Sequence, residues 1–156
     1  METHEVEHLV SRMDGWLTEK EGVLLYNLAR NCQGKGVIAE IGSWKGKSTI
    51  WLAYGSKQGK NVRIYAIDPH TGSSSHREKY GSIWTFDEFQ KNIRDAVRSY
   101  VKKEISPIIE DYAQKAEFPQ QIVERLAHHQ HPHAHSDGRS LADGRILEAD
   151  QIGRAV

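Results

Sequence analysis

The chain has 156 residues, and its 21 Lys and Arg residues balance its 21 Asp and Glu residues at zero net charge when His is neutral. This length suits one ordinary domain, and a neutral chain without a basic stripe argues against nucleic-acid binding. The single cysteine, Cys32, excludes an intramolecular disulfide, and no apolar run has the length of a membrane span. The acidic first residues do not have the pattern of a secretion signal, so we expect a cytoplasmic protein.

The first forty residues predict two helices followed by a strand. Apolar side chains recur at helical spacing over residues 6–13. Thr18 and Glu21 form a capping box, which predicts the start of a second helix that ends near Gly34. Residues 37–41 form a nearly continuous apolar run, which predicts a parallel strand covered on both faces.

A glycine turn follows this strand and passes into a helix-forming segment. Gly42 and Gly46 have no Cβ, so a ligand can approach the backbone N–H groups of the turn. The helix is expected to end at residues 55–59. A second apolar run, residues 62–67, ends in Asp68, where a carboxylate can accept hydrogen bonds from ribose hydroxyls.

Two motifs in this region carry a family resemblance. They are Glu40-x-Gly42-x-x-x-Gly46-x-Ser48 and Ile64-Tyr65-Ala66-Ile67-Asp68-Pro69-His70. In this order and about one helix apart, they resemble the N-terminal half of a class I S-adenosylmethionine-dependent methyltransferase over residues 15–96. The resemblance implies that the turn wraps the methionine part of S-adenosylmethionine and that Asp68 holds its ribose. The predicted cofactor-binding residues are Glu40, Gly42, Ser43, Gly46, Ser48 and Asp68.

Each candidate also has a structural interpretation. The glycines can serve the turn alone, and Asp68 can cap the loop that follows it. Lys45 and Lys47 can hold a carboxylate or phosphate, although a solvated helix start is the better interpretation. Three aromatic residues can stack on adenine or pack in the core: Trp44, Tyr65 and Trp84.

Residues 69–80 have the composition of a loop, which can act as a mobile lid or as a solvated connection. His70 and His76 are the nearest candidate bases, and the catalytic residues stay unknown. Residues 85–88 form a second capping box, which predicts a helix that continues past Val97.

No segment after Ala96 has the pattern of a buried parallel strand. The sequence therefore predicts an α/β fold with a truncated Rossmann-like β-α-β unit and a short parallel sheet, followed by an α-helical C-terminal part. Such a sheet leaves both edges unpaired and has little core. We therefore expect a homo-oligomer formed by sheet pairing or helix exchange, with no nucleic-acid or membrane partner.

Residues 93–127 resemble the N-terminal helices of an acyl-CoA dehydrogenase, a segment that carries neither the flavin site nor the catalytic base. Within it, Ser106 is a suitable N-cap and Pro107 a suitable first helical residue. Two segments that resemble parts of different families are joined within one helix, which indicates a recombined or laboratory-selected chimera with its junction near residues 94–97. The alternative is a natural methyltransferase relative with a divergent helical tail. The predicted parts are a half-Rossmann part (1–96), a helical segment (97–127) and a His-rich tail (128–156).

The tail carries five histidines within eight residues. Three at a spacing of two can bind Zn, Ni or Cu: His131, His133 and His135. A flexible tail with adventitious metal affinity is the leading interpretation, so no metal site is predicted. Residues 147–152 fit a short helix or disorder equally well.

Three functions follow from these patterns. The leading one is an S-adenosylmethionine-binding, methyltransferase-like protein, which can lack transferase activity because the later strands are missing. The alternative is a non-enzymatic chimeric or designed protein with no evolved ligand. The third, a metal-dependent hydrolase that uses the histidine tail, has the least support.

Overall fold

The computed structural model describes residues 2–122 and the backbone of residues 146–148. The helices are α1 Thr3–Val10, α2 Glu19–Arg30, α3 Lys47–Gln58, α4 Ser74–Tyr80, α5 Phe86–Tyr100 and α6 Ser106–Gln114, with a π-helix at Val101–Ile105. The strands are β1 Ile38–Ile41, β2 Ile64–Ile67 and β3 Ile146–Glu148. One compact unit ends at Ala96 and includes β3, and a second begins at Val97. The three predicted parts of the chain stay a prediction.

The sheet confirms the predicted β-α-β unit. Strands β1 and β2 are parallel, with Ile38 opposite Ile64 and Ile41 opposite Ile67, and α3 is the crossover between them. This arrangement brings the carboxyl ends of both strands to one edge, where open α/β sheets bind ligands. The α/β fold with a short parallel sheet and a helical C-terminal part is therefore as predicted.

The third strand was not predicted. Strand β3 pairs antiparallel with β2 and places Leu147 opposite Ala66, so the helix proposed from residue 147 is wrong for residues 147 and 148. Strand β3 therefore covers the edge of β2, and the edge strands of the described sheet are β1 and β3. Three residues are too few for a periodic pattern, and the free N–H and C=O groups of β2 supply the pairing partners.

Helices α2 and α3 cover one face of the sheet. Ala29 of α2, Leu52 of α3 and Ile64 of β2 form the centre of this core. The helices approach closely because Gly55 has no side chain, since a Cβ there would lie 2.1 Å from the Tyr26 carbonyl oxygen. Helix α3 ends at Gln58, with Gly59 as its C-cap, inside the predicted range of 55–59, but Gly55 itself lies within α3 and serves this contact.

The opposite face of β1 is exposed. Ile41 is 88% exposed and Val37 55% exposed, and Ala39 is exposed as well. The prediction of a strand covered on both faces is therefore wrong for β1. A continuous apolar run indicates that burial is possible on both faces, but α2 and α3 pack on only one of them.

The capping signals explain two helix starts. Thr18 caps α2 as predicted, since Thr18 N donates to Glu21 Oε2 at 2.8 Å. Residues 69–80 are not all loop, because Ser73 caps α4 in the same way. His76 N donates to Ser73 Oγ at 3.3 Å, and Ser73 N donates to His76 Nδ1 at 3.4 Å. A histidine replaces the usual Glu or Gln of the capping box, so the signal was missed.

The segment after α5 is also helical. Ser106 is not an N-cap, because Ile105 and Ser106 both keep right-handed helical dihedrals. Ser106 N donates to the Val101 carbonyl, a bond of the wider π-helical turn, and Pro107 follows. A wider turn before a proline relieves the clash of its ring with the preceding carbonyls. Within residues 2–122 no helix is both long and apolar enough to span a bilayer.

Candidate functional site

The two glycines of the turn serve different purposes. Gly42 has φ +90°, donates its N–H to the Ile67 carbonyl at 2.9 Å, and would meet nothing within 4 Å if it carried a Cβ. Gly46 also has φ +90° and begins α3, but a Cβ there would lie 3.1 Å from the Phe89 ring. Gly46 therefore lets α5 pack against the turn, and only Gly42 leaves an open approach to the backbone.

Asp68 connects the turn to the segment after β2. Its carboxylate is buried and accepts the backbone N–H of Trp44 at 2.7 Å and that of His70 at 2.6 Å. Trp44 has φ +50°, which a bulky residue rarely adopts. The Asp68 carboxylate therefore stabilises an unfavourable backbone conformation in the glycine turn.

Glu40 lies at the carboxyl end of β1, beside the start of α3. Thr49 Oγ1 donates to one carboxylate oxygen at 2.5 Å, and Ser48 Oγ donates to the other. Burial raises the pKa of Glu40, the hydroxyl groups of Ser48 and Thr49 oppose this, and the charge of Asp68 raises the pKa further. Two carboxylates thus lie near each other beside the turn, an arrangement that favours a cationic ligand group.

Two polar atoms of the turn are buried without a hydrogen-bond partner among the described residues. They are Ser43 Oγ and Trp44 Nε1, and Ser43 is only 2% exposed. Buried polar groups are normally hydrogen-bonded, so such atoms at one turn indicate a place for a ligand or ordered water. The sequence singled out Ser43 only as a member of the turn.

Lys45 holds the turn to its surroundings. Its Nζ lies 2.7 Å from Glu88 Oε2 on α5 and 3.0 Å from Asp14 Oδ2. The hydrogen bond to Glu88 raises the pKa of Lys45, burial opposes it, and Asp14 adds to the increase. Both partners are carboxylates of the protein itself, so this lysine is engaged in structure rather than directed at a ligand.

His70 is packed inside the unit. It is 3% exposed, its ring lies 5.2 Å from each of the Phe86 and Phe89 rings, and its Nδ1 lies 3.0 Å from Thr85 Oγ1. Burial lowers the pKa of His70, while Asp68 and the backbone of Trp44 oppose that decrease. These contacts are those of a core histidine that fixes the segment after β2.

An aromatic cluster beside the turn joins Trp16, Trp44 and His76. The His76 ring is stacked on both indoles, at centroid distances of 4.9 Å to Trp16 and 5.3 Å to Trp44. No local sequence pattern predicts this cluster, because the three rings are far apart in the chain. The other aromatic candidates lie elsewhere: the Tyr65 hydroxyl accepts from Arg63, and Trp84 packs near Phe86.

The described residues contain no group of three or more His, Cys, Asp or Glu residues that could hold a metal ion. The histidines of the tail, His131, His133 and His135, lie outside the described residues.

Residues 39–148 match a known protein family, described as a methyltransferase domain. The chain belongs to this family. The matched range begins inside β1 and includes the glycine turn, α3, β2 and Asp68, so the first resemblance is confirmed at the level of the family. The methyltransferase domain match also continues through residues 94–97, where the sequence predicts a junction. The chimeric origin and the resemblance to an acyl-CoA dehydrogenase stay predictions.

Proposed function

We propose that this methyltransferase domain binds S-adenosylmethionine at the glycine turn. The observation that carries the proposal is the open approach to Gly42 beside two acidic groups, Glu40 and Asp68. S-adenosylmethionine has a cationic sulfonium and an ammonium group, which two carboxylates attract. When bound, it supplies an electrophilic methyl group.

The position of Glu40 argues against a phosphate ligand at the start of α3. A helix N-terminus commonly binds an anion through its partial positive charge. Here the Glu40 carboxylate already lies at the start of α3, where it accepts hydrogen bonds from the hydroxyl groups of Ser48 and Thr49. A dinucleotide phosphate would meet this carboxylate, whereas an ammonium group would pair with it.

The remaining candidates fit the cofactor in different ways. Ser43 Oγ lacks a partner among residues 2–122 and is available to a polar group of the ligand. Each Asp68 oxygen already accepts one N–H and has a second lone pair for a ribose hydroxyl. Ser48 acts through Glu40, and Gly46 acts through packing on α5.

Transferase activity itself requires an acceptor aligned with the methyl group. We propose no catalytic residue for this step. The short sheet fits a protein that binds the cofactor without transferring its methyl group. The alternative, a chimeric or designed protein with no evolved ligand, predicts no affinity for the cofactor. Sequencing the source locus tests the chimera, and a single-family gene with homologous flanks would contradict it.

The binding proposal is tested by two alanine variants of matched backbone strain. Gly42 and Gly36 have φ +90° and +78°, and a Cβ at either position would meet nothing within 4 Å. Both substitutions therefore cost similar stability, but only a Cβ at Gly42 projects beside the proposed cofactor. We expect calorimetry with S-adenosylhomocysteine to show affinity at least tenfold weaker for Gly42→Ala and unchanged for Gly36→Ala. Equal affinities in both variants would contradict the site.

The exposed edge of the sheet supports a second proposal, that two copies of the chain associate through β1. This strand is at the edge of the described sheet and exposes Ile41, and Val37 just before the strand is exposed as well. We expect Ile41→Lys to produce monomers in sedimentation velocity while the wild-type protein sediments as a dimer or larger species. The control is Leu24→Lys, which changes an exposed apolar residue on α2 rather than on the edge strand. A wild-type monomer at high concentration would contradict the proposal.

A further inference from the structure

The His76 side chain links α4 to the glycine turn. Helix α4 has seven residues, none of them buried. His76 connects it to the turn, because the imidazole stacks at interplanar angles of 22° on Trp16 and 28° on Trp44. A helix held in this way has little apolar burial to keep it in place.

The ends of α4 are suited to movement. Gly72 and Gly81 flank the helix at φ +71° and +77°, and a Cβ at Gly81 would meet nothing within 4 Å. Glycine changes its backbone dihedrals at lower cost than other residues. The segment can therefore leave the turn by rotation at two points, without unfolding the sheet or α5.

The two indoles are arranged around a flat ring. Trp16 is 68% exposed although it contacts two other aromatic rings, so one side of this cluster is accessible from solvent. Trp44 belongs to the turn and has a buried Nε1–H without a partner among the described residues. Exposed aromatic surface beside an unpaired donor is typical of a ligand site.

We propose that Trp16 and Trp44 form a binding slot for a flat aromatic ring, which His76 fills in the free protein. A ligand ring displaces the imidazole, and α4 moves away as the slot is taken. The inference rests on the proposed function for the source of the ring, which is either the adenine of the cofactor or an aromatic methyl acceptor. A fused aromatic ring has a larger stacking surface than one imidazole, so it can compete with His76 for the slot.

This arrangement makes His76 an intramolecular competitor, so its removal should strengthen ring binding. The probes are adenosine and 2-naphthol, titrated by calorimetry. We expect His76→Ala to bind at least one of them about tenfold more tightly than the wild-type protein. Adding Trp16→Ala to that variant should abolish the gain, whereas adding Trp84→Ala should keep it, since Trp84 is an exposed indole outside the cluster.

Movement of α4 has its own readout. Arg77 and Lys79 make the helix a trypsin site once it leaves the turn. The probe that binds should accelerate cleavage after these residues in the wild-type protein several-fold, and His76→Ala should be cleaved rapidly without any probe.

The two probes separate the sources of the ring. A response to adenosine alone assigns the slot to the cofactor, and a response to 2-naphthol assigns it to an acceptor. Unchanged or weaker binding of both in His76→Ala would overturn the proposal. If the proposed function is wrong instead, the protein does not bind S-adenosylhomocysteine. The His76→Ala variant then still binds 2-naphthol more tightly than the wild-type protein does.

Discussion

Asp68→Ala is expected to lower the free energy of unfolding by roughly 3 kcal/mol, because it leaves two backbone N–H groups without an acceptor. Those groups belong to Trp44 and His70, whose donor distances to the carboxylate are 2.7 and 2.6 Å. The substitution also removes the acceptor that stabilises the positive φ of Trp44. In thermal unfolding followed by circular dichroism, we expect a Tm decrease on the order of 10 °C.

Asp14→Ala is the matched control for this prediction. Asp14 also pairs with a group of the turn, Lys45 Nζ at 3.0 Å, but its side chain is 76% exposed. An exposed ion pair contributes about 0–1 kcal/mol, so the Tm of this variant should change by little. Equal Tm values for the two variants would show that Asp68 does not hold the turn. A loss of cofactor affinity in Asp68→Ala would therefore not by itself assign the ribose to Asp68.

Glu40→Gln is expected to have opposite effects on stability and on binding. Burial raises the pKa of Glu40 above its ordinary value, so its ionised form is less favourable in the folded protein than in the unfolded chain. The amide is neutral and can still pair with the hydroxyl groups of Ser48 and Thr49. We therefore expect a higher Tm at neutral pH, while affinity for S-adenosylhomocysteine falls about 30-fold or more because the cofactor ammonium loses its partner.

The pH dependence gives the same prediction a second test. A carboxyl with a raised pKa binds more protons in the folded state, so stability is lost as pH rises through the range above its ordinary value. This loss should be present in the wild-type protein and absent in Glu40→Gln.

Glu21→Gln is the control, because Glu21 also accepts from a hydroxyl, that of Thr18. Backbone and side-chain hydrogen bonds from Thr18 lower the pKa of Glu21, so the sign of its pH dependence is reversed. We expect a lower Tm and unchanged cofactor affinity for Glu21→Gln. A Glu40→Gln variant that is less stable at neutral pH and binds normally would contradict the assigned role of Glu40.

The local part of the fold was predictable from the sequence. The capping box at Thr18 and Glu21, the parallel β-α-β unit and the position of Asp68 after β2 all depend on residues close together in the chain. The start of α4 was also a local signal, but His76 in the place of Glu or Gln concealed it. The start of α6 was not a local signal, because Ser106 can act as an N-cap only where the preceding helix has already ended.

The contacts that distinguish one candidate residue from another were not predictable. Gly42 and Gly46 have the same φ and belong to the same motif, yet only Gly46 faces the Phe89 side chain. The aromatic cluster joins Trp16 to His76 across 60 positions of sequence, and no local pattern encodes such a contact. Strand β3 depends likewise on a distant partner, β2.

The most direct test of the cofactor site is a calorimetric titration of S-adenosylhomocysteine against the wild-type protein, Gly42→Ala and Gly36→Ala. We predict micromolar affinity for the wild-type protein and Gly36→Ala, with at least a tenfold loss in Gly42→Ala. Absence of binding to the folded wild-type protein would contradict the proposed function, and the turn between β1 and α3 would then serve the fold alone.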